Sequence, residues 1–389
     1  MVPRSSRCRC CENQRVTDAP ISALPSSHPL ADGRTAGSAL VRALRGDRPE
    51  TLPVWFMRQA GRSLPEYREL RVGTAMLDAC LDPAMASEIT LQPVRRHGVD
   101  AGIFFSDIVV PIKLAGVDVE IVPGRGPVLG SPIRTSADVD ALQDLDPASL
   151  APISEAVSRT VAELGSTPLI GFAGAPFTLA AYLVEGGPSK DHIRARTLMH
   201  SDPETWSRLL GWAAEVSGTF LRAQVLAGAS AAQLFDSWVG SLSRADYVEH
   251  VAPHSAQALS HVADLGVPRI HFGVGSGEVL RDMTTLGDDT AGPRVDAVGV
   301  DWRLPLDQAV ERVGTGVTVQ GNIDPAMLAA PWEVLEAHVR DVVRRGGAAR
   351  AHVVNLGHGV PPETDPTVLT RVVELVHGLG SGAGDGAAA

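Results

Sequence analysis

Residues 202–237, DPETWSRLLGWAAEVSGTFLRAQVLAGASAAQLFDS, read as one complete helix–strand unit. Asp202 precedes Pro203, which sets an N-cap carboxylate ahead of a proline at the first helical position, where the missing N–H costs nothing. Trp206, Leu209, Leu210 and Ala213 then recur at helical spacing, and Gly228 stands where the helix should stop. The short apolar run 232–235 follows and ends on two polar residues, Asp236 and Ser237. A long helix feeding a short buried strand with a polar tip is the repeating unit of a parallel α/β sheet.

The unit recurs in both directions. Runs 53–57, 102–106, 169–173, 269–273, 297–300, 317–321 and 352–356 are likewise short, largely apolar and closed by a polar or glycine-bearing loop. Asp82, Asp324 and Asp365 each precede a proline and predict further helix starts; Leu335, Val339, Val342 and Val343 continue one of them at helical spacing. Gly346 and Gly378 stand where helices should end. Eight strands with helical crossovers predict an α/β fold, a single (β/α)₈ TIM-type barrel over residues 36–380; two short domains packed together are the alternative. The stretch 109–129, VVPIKLAGVDVEIVPGRGPVL, is strand-like and reads as a β-rich insertion after the second strand.

Residues 1–35 are polar, rich in Ser and Pro, and lack the apolar core of a secretory signal, so a disordered tail is expected there. A flexible tail is expected at 381–389. Cys8, Cys10 and Cys11 crowd the first segment without a partner at zinc-finger spacing, and Cys80 is the one other cysteine, so no disulfide framework exists and a reducing cytoplasm is the expected compartment. The formal charge of −11 argues against nucleic acid and an anionic membrane surface as partners. No apolar run reaches the roughly 18 residues of a membrane span.

A barrel places its chemistry just past the C-terminal ends of its strands. Those positions are Arg58 and Arg62, Asp107, the 171–178 loop, Asp236 and Ser237, Asp301, Asn322 and Asp324, and His358. Arg58 and Arg62 flank Gln59, Ala60 and Gly61; two guanidiniums at that spacing can face one ligand and bind carboxylates bidentately without losing their charge. Asp107 has two readings: a functional carboxylate or a helix N-cap, the second weakened because Ile108-Val109-Val110-Pro111 does not read as a helix start. Asp236 and Asp301 are the rival carboxylates. Gly357 and Gly359 allow backbone to approach a ligand beside His358.

Five ordered motifs carry a family resemblance. The run 53–69, PVWFMRQAGRSLPEYRE, resembles the N-terminal signature of uroporphyrinogen decarboxylases, and 171–187, GFAGAPFTLAAYLVEGG, resembles the second. Shorter matches follow at 104–107 (FFSD), 233–237 (QLFDS) and 355–359 (NLGHG). The resemblance spans 36–378. It implies a cofactor-free carboxy-lyase converting uroporphyrinogen III to coproporphyrinogen III, acting as a homodimer. It carries substrate contact onto Arg58, Gln59, Ala60, Gly61, Arg62, Asp107, Tyr182, Ser237 and His358, and catalytic roles onto Asp107, Tyr182 and His358. Arg71 matches a family arginine and is a proton-relay candidate.

The chemistry agrees with that set. A macrocycle with carboxylates on its rim and pyrrole N–H groups at its centre needs cations at the edge, from Arg58, Arg62 and His358, and an acceptor in the middle, from Asp107. No metal, flavin or pyridoxal is required, because the protonated pyrrole is its own electron sink. The competing functions are a zinc-dependent methyltransferase, which needs thiolate or imidazole ligands at the mouth although no cysteine follows Cys80, and a non-catalytic tetrapyrrole carrier, which needs the arginines but not Asp107.

Overall fold

The computed structural model describes residues 24–381 except residues 289 and 291. The Cys8, Cys10 and Cys11 stretch and the tail beyond 381 lie outside the described residues. Nine strands are present: β1 (Gly102–Ile103), β2 (Val119–Val122), β3 (Gly126–Leu129), β4 (Leu169–Gly174), β5 (Ala231–Asp236), β6 (Arg269–Gly273), β7 (Ala297–Gly299), β8 (Thr318–Gln320) and β9 (His352–Val353). Seven form one curled parallel sheet in the order β1-β4-β5-β6-β7-β8-β9, with helices between successive strands. β2 and β3 form a separate antiparallel hairpin. β4 and β5 are buried along their whole length, as strands covered on both faces must be.

The opening unit folds as read. Asp202 accepts from Thr205 N at 3.1 Å, the helix Pro203–Leu226 buries Trp206, Leu209, Leu210 and Ala213, and the chain turns at Gly228 with φ 128°. Asp82, Asp324 and Asp365 also accept from the N–H two residues on, but Asp324 opens only the 3₁₀ turn Pro325–Ala329, and the helix that carries Leu335, Val339, Val342 and Val343 starts separately at Trp332. Gly378 does not stop its helix, which runs Pro366–Ser381. The last turn lies against residues 50–52, where a side chain at Gly380 would come within 2.6 Å of Leu52 N, and that packing outweighs the roughly 1 kcal/mol that a helical glycine costs.

Two further expectations are corrected. Of the 109–129 stretch only its second half is strand; Val110–Leu114 is a helix with Pro111 in its first turn. A short apolar run does not distinguish strand from buried helix, and the proline settles it here. Run 53–57 is not a ladder strand: it makes one parallel bridge, Val54 to Val354. It nevertheless stands in the eighth position. Trp55 N donates to Val354 O (3.2 Å) and Val354 N to Pro53 O (2.8 Å) on the β9 side, while Asp100 N donates to Val54 O (2.9 Å) just before β1. Side chains take the N–H groups that a ladder would use: Asp100 accepts from Val54 N, Gln59 from Phe56 N, and Asn355 from Met57 N. The ring is closed by this extended segment.

Residues 24–35, expected within a disordered tail, are packed across the opposite end of the sheet. His28 is buried; its Nε2 donates to Val225 O (3.0 Å) and its Nδ1 accepts from Leu30 N (3.1 Å), the neutral tautomer that burial favours. Thr35 bonds Ser230, at the entrance to β5, hydroxyl to hydroxyl at 2.9 Å. The helix Ala39–Leu44 continues this floor, with Thr318 of β8 donating to Ala43 O. A chain beginning at Ala36 should therefore be less stable than one beginning at Leu24 by roughly 2–4 kcal/mol, from two hydrogen bonds and the two partly buried leucines Leu24 and Leu30. Urea unfolding of the two chains reads this as a lower midpoint; equal midpoints would show that the floor adds nothing.

Candidate active site

The cleft is built at the C-terminal ends of the strands. The barrel-closing segment delivers Arg58 in a left-handed conformation, φ 60°, which an arginine adopts only when its surroundings hold it there. The hold comes from the loop after β9. Val360 N donates to Met57 O at 2.9 Å, and Asn355 Oδ1 accepts from both Met57 N and Leu356 N. The Arg58 stem lies on Gly359, where a Cβ would come within 2.4 Å of Arg58 Cδ. Gly357 is equally constrained, since its Cβ would meet Trp302 N at 2.3 Å. The glycines that flank His358 are needed for packing against protein.

Asp107 follows β1. Its Oδ1 accepts from Val109 N at 3.0 Å and its carbonyl from Val110 N at 3.1 Å, a turn just ahead of the short helix Val110–Leu114, whose N-cap position is Val109 and not Asp107. Its other oxygen has no hydrogen bond among the described residues, and the residue is partly open. Desolvation raises its pKa, offset by the Val109 N–H and the Arg58 charge. Tyr182, on the helix Pro176–Glu185, is pushed up to about 12 by burial and the Asp107 charge, with Arg58 opposing, and so stays a neutral donor. Its ring stacks on Trp238 with centroids 3.9 Å apart. Ser237 lies beside Trp238 and is partly exposed.

His358 is lowered to about 4, by burial first and then by the charges of Arg58 and Arg303, with Asp301 opposing. It is therefore a neutral imidazole near pH 7 and not the rim cation expected of it. Arg58 acts electrostatically on Asp107, Tyr182 and His358 together. Arg62 is exposed, and its charge is felt at Tyr67.

Two of the other expected residues, Gln59 and Arg71, have their side chains engaged by protein. Gln59 has no exposed surface; its amide accepts from Phe56 N and donates to Ala101 O at 3.0 Å, which makes it a brace for the loop. Ala60 and Gly61 are partly exposed beside it. Arg71 holds its own loop, donating to Tyr67 Oη (3.1 Å), Met76 Sδ (2.8 Å) and Thr74 O (2.8 Å), and its charge reaches Cys80.

The rival carboxylates are buried and held by protein partners. Asp301 accepts from Gly275 N and Arg303 N and pairs with the Arg303 guanidinium. Asp236 is fully buried; Oδ1 accepts from Thr178 Oγ1 at 2.7 Å, and burial pushes it up to about 7. Asn322 is bound to Asp301 O and Leu304 O. Of Asp107, Asp236 and Asp301, Asp107 alone is partly exposed with an oxygen unbonded among the described residues; Asp236 Oδ2 also lacks a partner but has no exposed surface. The aromatic groups were missed: Trp238, and Trp302 with Arg303 4.0 Å over its ring. Their signal was position, since Trp302 follows Asp301 directly and Trp238 follows Asp236 and Ser237.

An α/β barrel that couples a carboxylate, an arginine, a tyrosine and a neutral imidazole at its strand ends has the make-up of the barrel-enzyme class. Within that class, the chain belongs to the uroporphyrinogen decarboxylase family. The family model described as "Uroporphyrinogen decarboxylase (URO-D)" matches residues 35–379. Curated relatives of that name include one from Leifsonia xyli subsp. xyli, 67% identical with 92% of this chain and 99% of the relative covered. Another, from Arthrobacter sp. (strain FB24), is 66% identical with 90% and 99% covered. Among solved structures, a methyltransferase from Methanosarcina mazei superposes with a TM-score of 0.73 at 19% identity, covering 89% of this chain and 99% of that one. A B12-independent methionine synthase from Shewanella sp. W3-18-1 gives 0.53 at 13%, covering 87% and 98%. At those identities the likeness is one of fold.

The Thr178–Asp236 pair joins the Tyr182 helix to the end of β5 and gives a pH-dependent prediction. Because the folded pKa of Asp236 is raised, its contribution to stability is fully present below its unfolded value of 3.8 and is lost as pH rises through about 7. Thr178→Val removes the hydroxyl donor and leaves the Thr178 backbone N–H, so it should cost about 1.5–3 kcal/mol at pH 8, where the carboxylate is charged, and less at pH 6. Urea unfolding at the two pH values measures the difference; equal losses would mean that Asp236 does not titrate between them.

Proposed function

We propose that this cleft removes the four acetate carboxyls of uroporphyrinogen III in turn, leaving methyls and giving coproporphyrinogen III. Family membership makes the chain a carboxy-lyase of tetrapyrrole biosynthesis; the roles of individual residues are our reading. The observation that carries it is that Asp107, unlike its rivals Asp236 and Asp301, is partly exposed with one carboxylate oxygen unbonded among the described residues; Asp236 Oδ2 is unbonded but fully buried, and Asp301 is buried and accepts from Gly275 and Arg303.

Each round converts R–CH₂–COO⁻ and one proton into R–CH₃ and CO₂. Protonation of the ring carbon beside the acetate makes a cationic pyrrole. The C–C bond to the carboxylate then breaks, its electron pair flows into the ring, and CO₂ leaves. The exocyclic methylene takes up a proton and the ring carbon returns the first one. Asp107 accepts from the pyrrole N–H groups before reaction and faces a full positive charge at the intermediate, an interaction that strengthens on the way to the transition state. Arg58 and Arg62 hold rim carboxylates, and Tyr182, Ser237 and neutral His358 supply hydrogen bonds without adding charge. The ring is the electron sink, so the reading needs no cofactor.

We read the protein as a cytoplasmic homodimer. No helix among the described residues is long and apolar enough to cross a membrane, and Cys80 is a buried free thiol. The methyltransferase alternative gains nothing from the Methanosarcina likeness, and among the described residues no three metal-ligating groups converge at the mouth.

Asp107→Asn should lower kcat by about 10²–10³ with little change in KM, as for loss of one preorganised electrostatic group. Arg58→Ala should chiefly raise KM, losing one charge-assisted contact of about 1.5–3 kcal/mol. Anaerobic turnover of uroporphyrinogen III, with products separated by carboxylate number, measures both. An Asp107→Asn enzyme with near-normal kcat and altered KM would make Asp107 a binding residue only.

A further inference from the structure

A second cluster of ligating side chains lies away from this chemistry. We propose that His200, Asp246 and His250 form a divalent-metal site of zinc type that ties the helix Ile193–Ser201 to the helix Arg244–His250. Asp246 and His250 are four residues apart on one helix and so share a face, while His200 comes from the last turn of the other. One ligand atom from each lies within 4.8 Å of the others. His200 Nε2 and Asp246 Oδ1 are 3.4 Å apart, and the two imidazoles stand nearly perpendicular with centroids 6.0 Å apart.

A tetrahedral zinc with bonds of about 2.0–2.2 Å sets its ligand atoms roughly 3.3–3.6 Å from one another. The His200–Asp246 separation is already that of a tetrahedral edge. The remaining closure of about 1 Å falls within the reach of His200, whose side chain is 56% exposed. Glu249 lies 3.9 Å from His250 Nε2 and can supply the fourth position in place of water.

The alternative is a bare histidine–carboxylate pair, and the surroundings of Asp246 speak against it. That side chain is only 16% exposed, yet its carboxylate accepts no hydrogen bond among the described residues. His250 is 18% exposed and its ring is likewise without a hydrogen bond there. A largely desolvated carboxylate facing two imidazoles without a donor is poorly compensated by protein alone, whereas a divalent cation satisfies all three groups at once. The helix Ile193–Ser201 comes after the Tyr182 helix, and the helix Arg244–His250 comes after Ser237 and Trp238. A metal there would brace two elements that follow the cleft residues without touching the substrate.

The test uses the full chain with Cys8, Cys10 and Cys11 changed to Ser, stripped with a chelator, and titrated with Co²⁺ and Zn²⁺. The expected result is one equivalent of Co²⁺ bound with visible ligand-field bands and no sulfur-to-metal charge transfer, and a rise in Tm with Zn²⁺. His200→Ala, at an exposed position that the fold does not depend on, and His250→Ala should each weaken binding by at least about tenfold and abolish the Tm shift. Absence of saturable binding in the triple-serine chain, or binding that survives both histidine changes, overturns the proposal.

Discussion

The structure depends on how its ring is closed. Seven strands pair in succession, and the eighth place is taken by 53–57, a segment that makes one ladder bridge. Asp100 is the clasp. Its backbone N–H donates to Val54 O, and its carboxylate accepts from Val54 N at 2.8 Å, which satisfies a buried donor that an unclosed ring would leave without a partner. His377 on the C-terminal helix bonds the same carboxylate at 2.8 Å, and that bond raises its own pKa. Inside the ring, Trp55 Nε1 donates to Gln320, and Gln320 donates to Gln233, so the closing segment is also joined through buried side chains to β8 and β5.

That closure positions the chemistry. The segment runs from its bridge with β9 straight into Arg58, and the glycines of the β9 loop leave room for the arginine stem. Arg58 then sits where its charge lowers the pKa of Asp107, Tyr182 and His358 alike. For the carboxylate this favours the charged form, for the imidazole the neutral one, and for the phenol it partly opposes burial. One cation thus favours the charged form of the carboxylate and the neutral form of the imidazole beside it, the combination that the proposed reaction calls for.

The three strand-end aspartates show how partners divide like residues among different tasks. Asp301 is consumed by Gly275, Arg303 and the turn between them, and Asp236 is sealed behind Thr178. Asp107 keeps an oxygen because Val109 engages only the other one. Burial alone would have made Asp236 the most perturbed and so the most suspicious of them. Access to the cleft decides otherwise.

The sequence by itself determined the strand and helix order, because buried parallel strands, Asp-Pro caps and helical spacing are local features that each segment carries alone. It also determined which strand-end residues were candidates, since a barrel gathers those ends at one mouth. Only the tertiary structure decided which candidates are left open and which are bound to protein. Gln59 and Asp107 are both polar residues past a strand end, and only the packed structure shows Gln59 turned inward to Ala101 and Asp107 left open. Nor could local pattern show that 53–57 closes the ring with side-chain acceptors, that residues 24–35 pack beneath the barrel, or that Gly378 lies within a helix. Each of those outcomes rests on partners distant in the chain, and a segment's own residues do not encode how its hydrogen bonds are met by residues that only folding brings near.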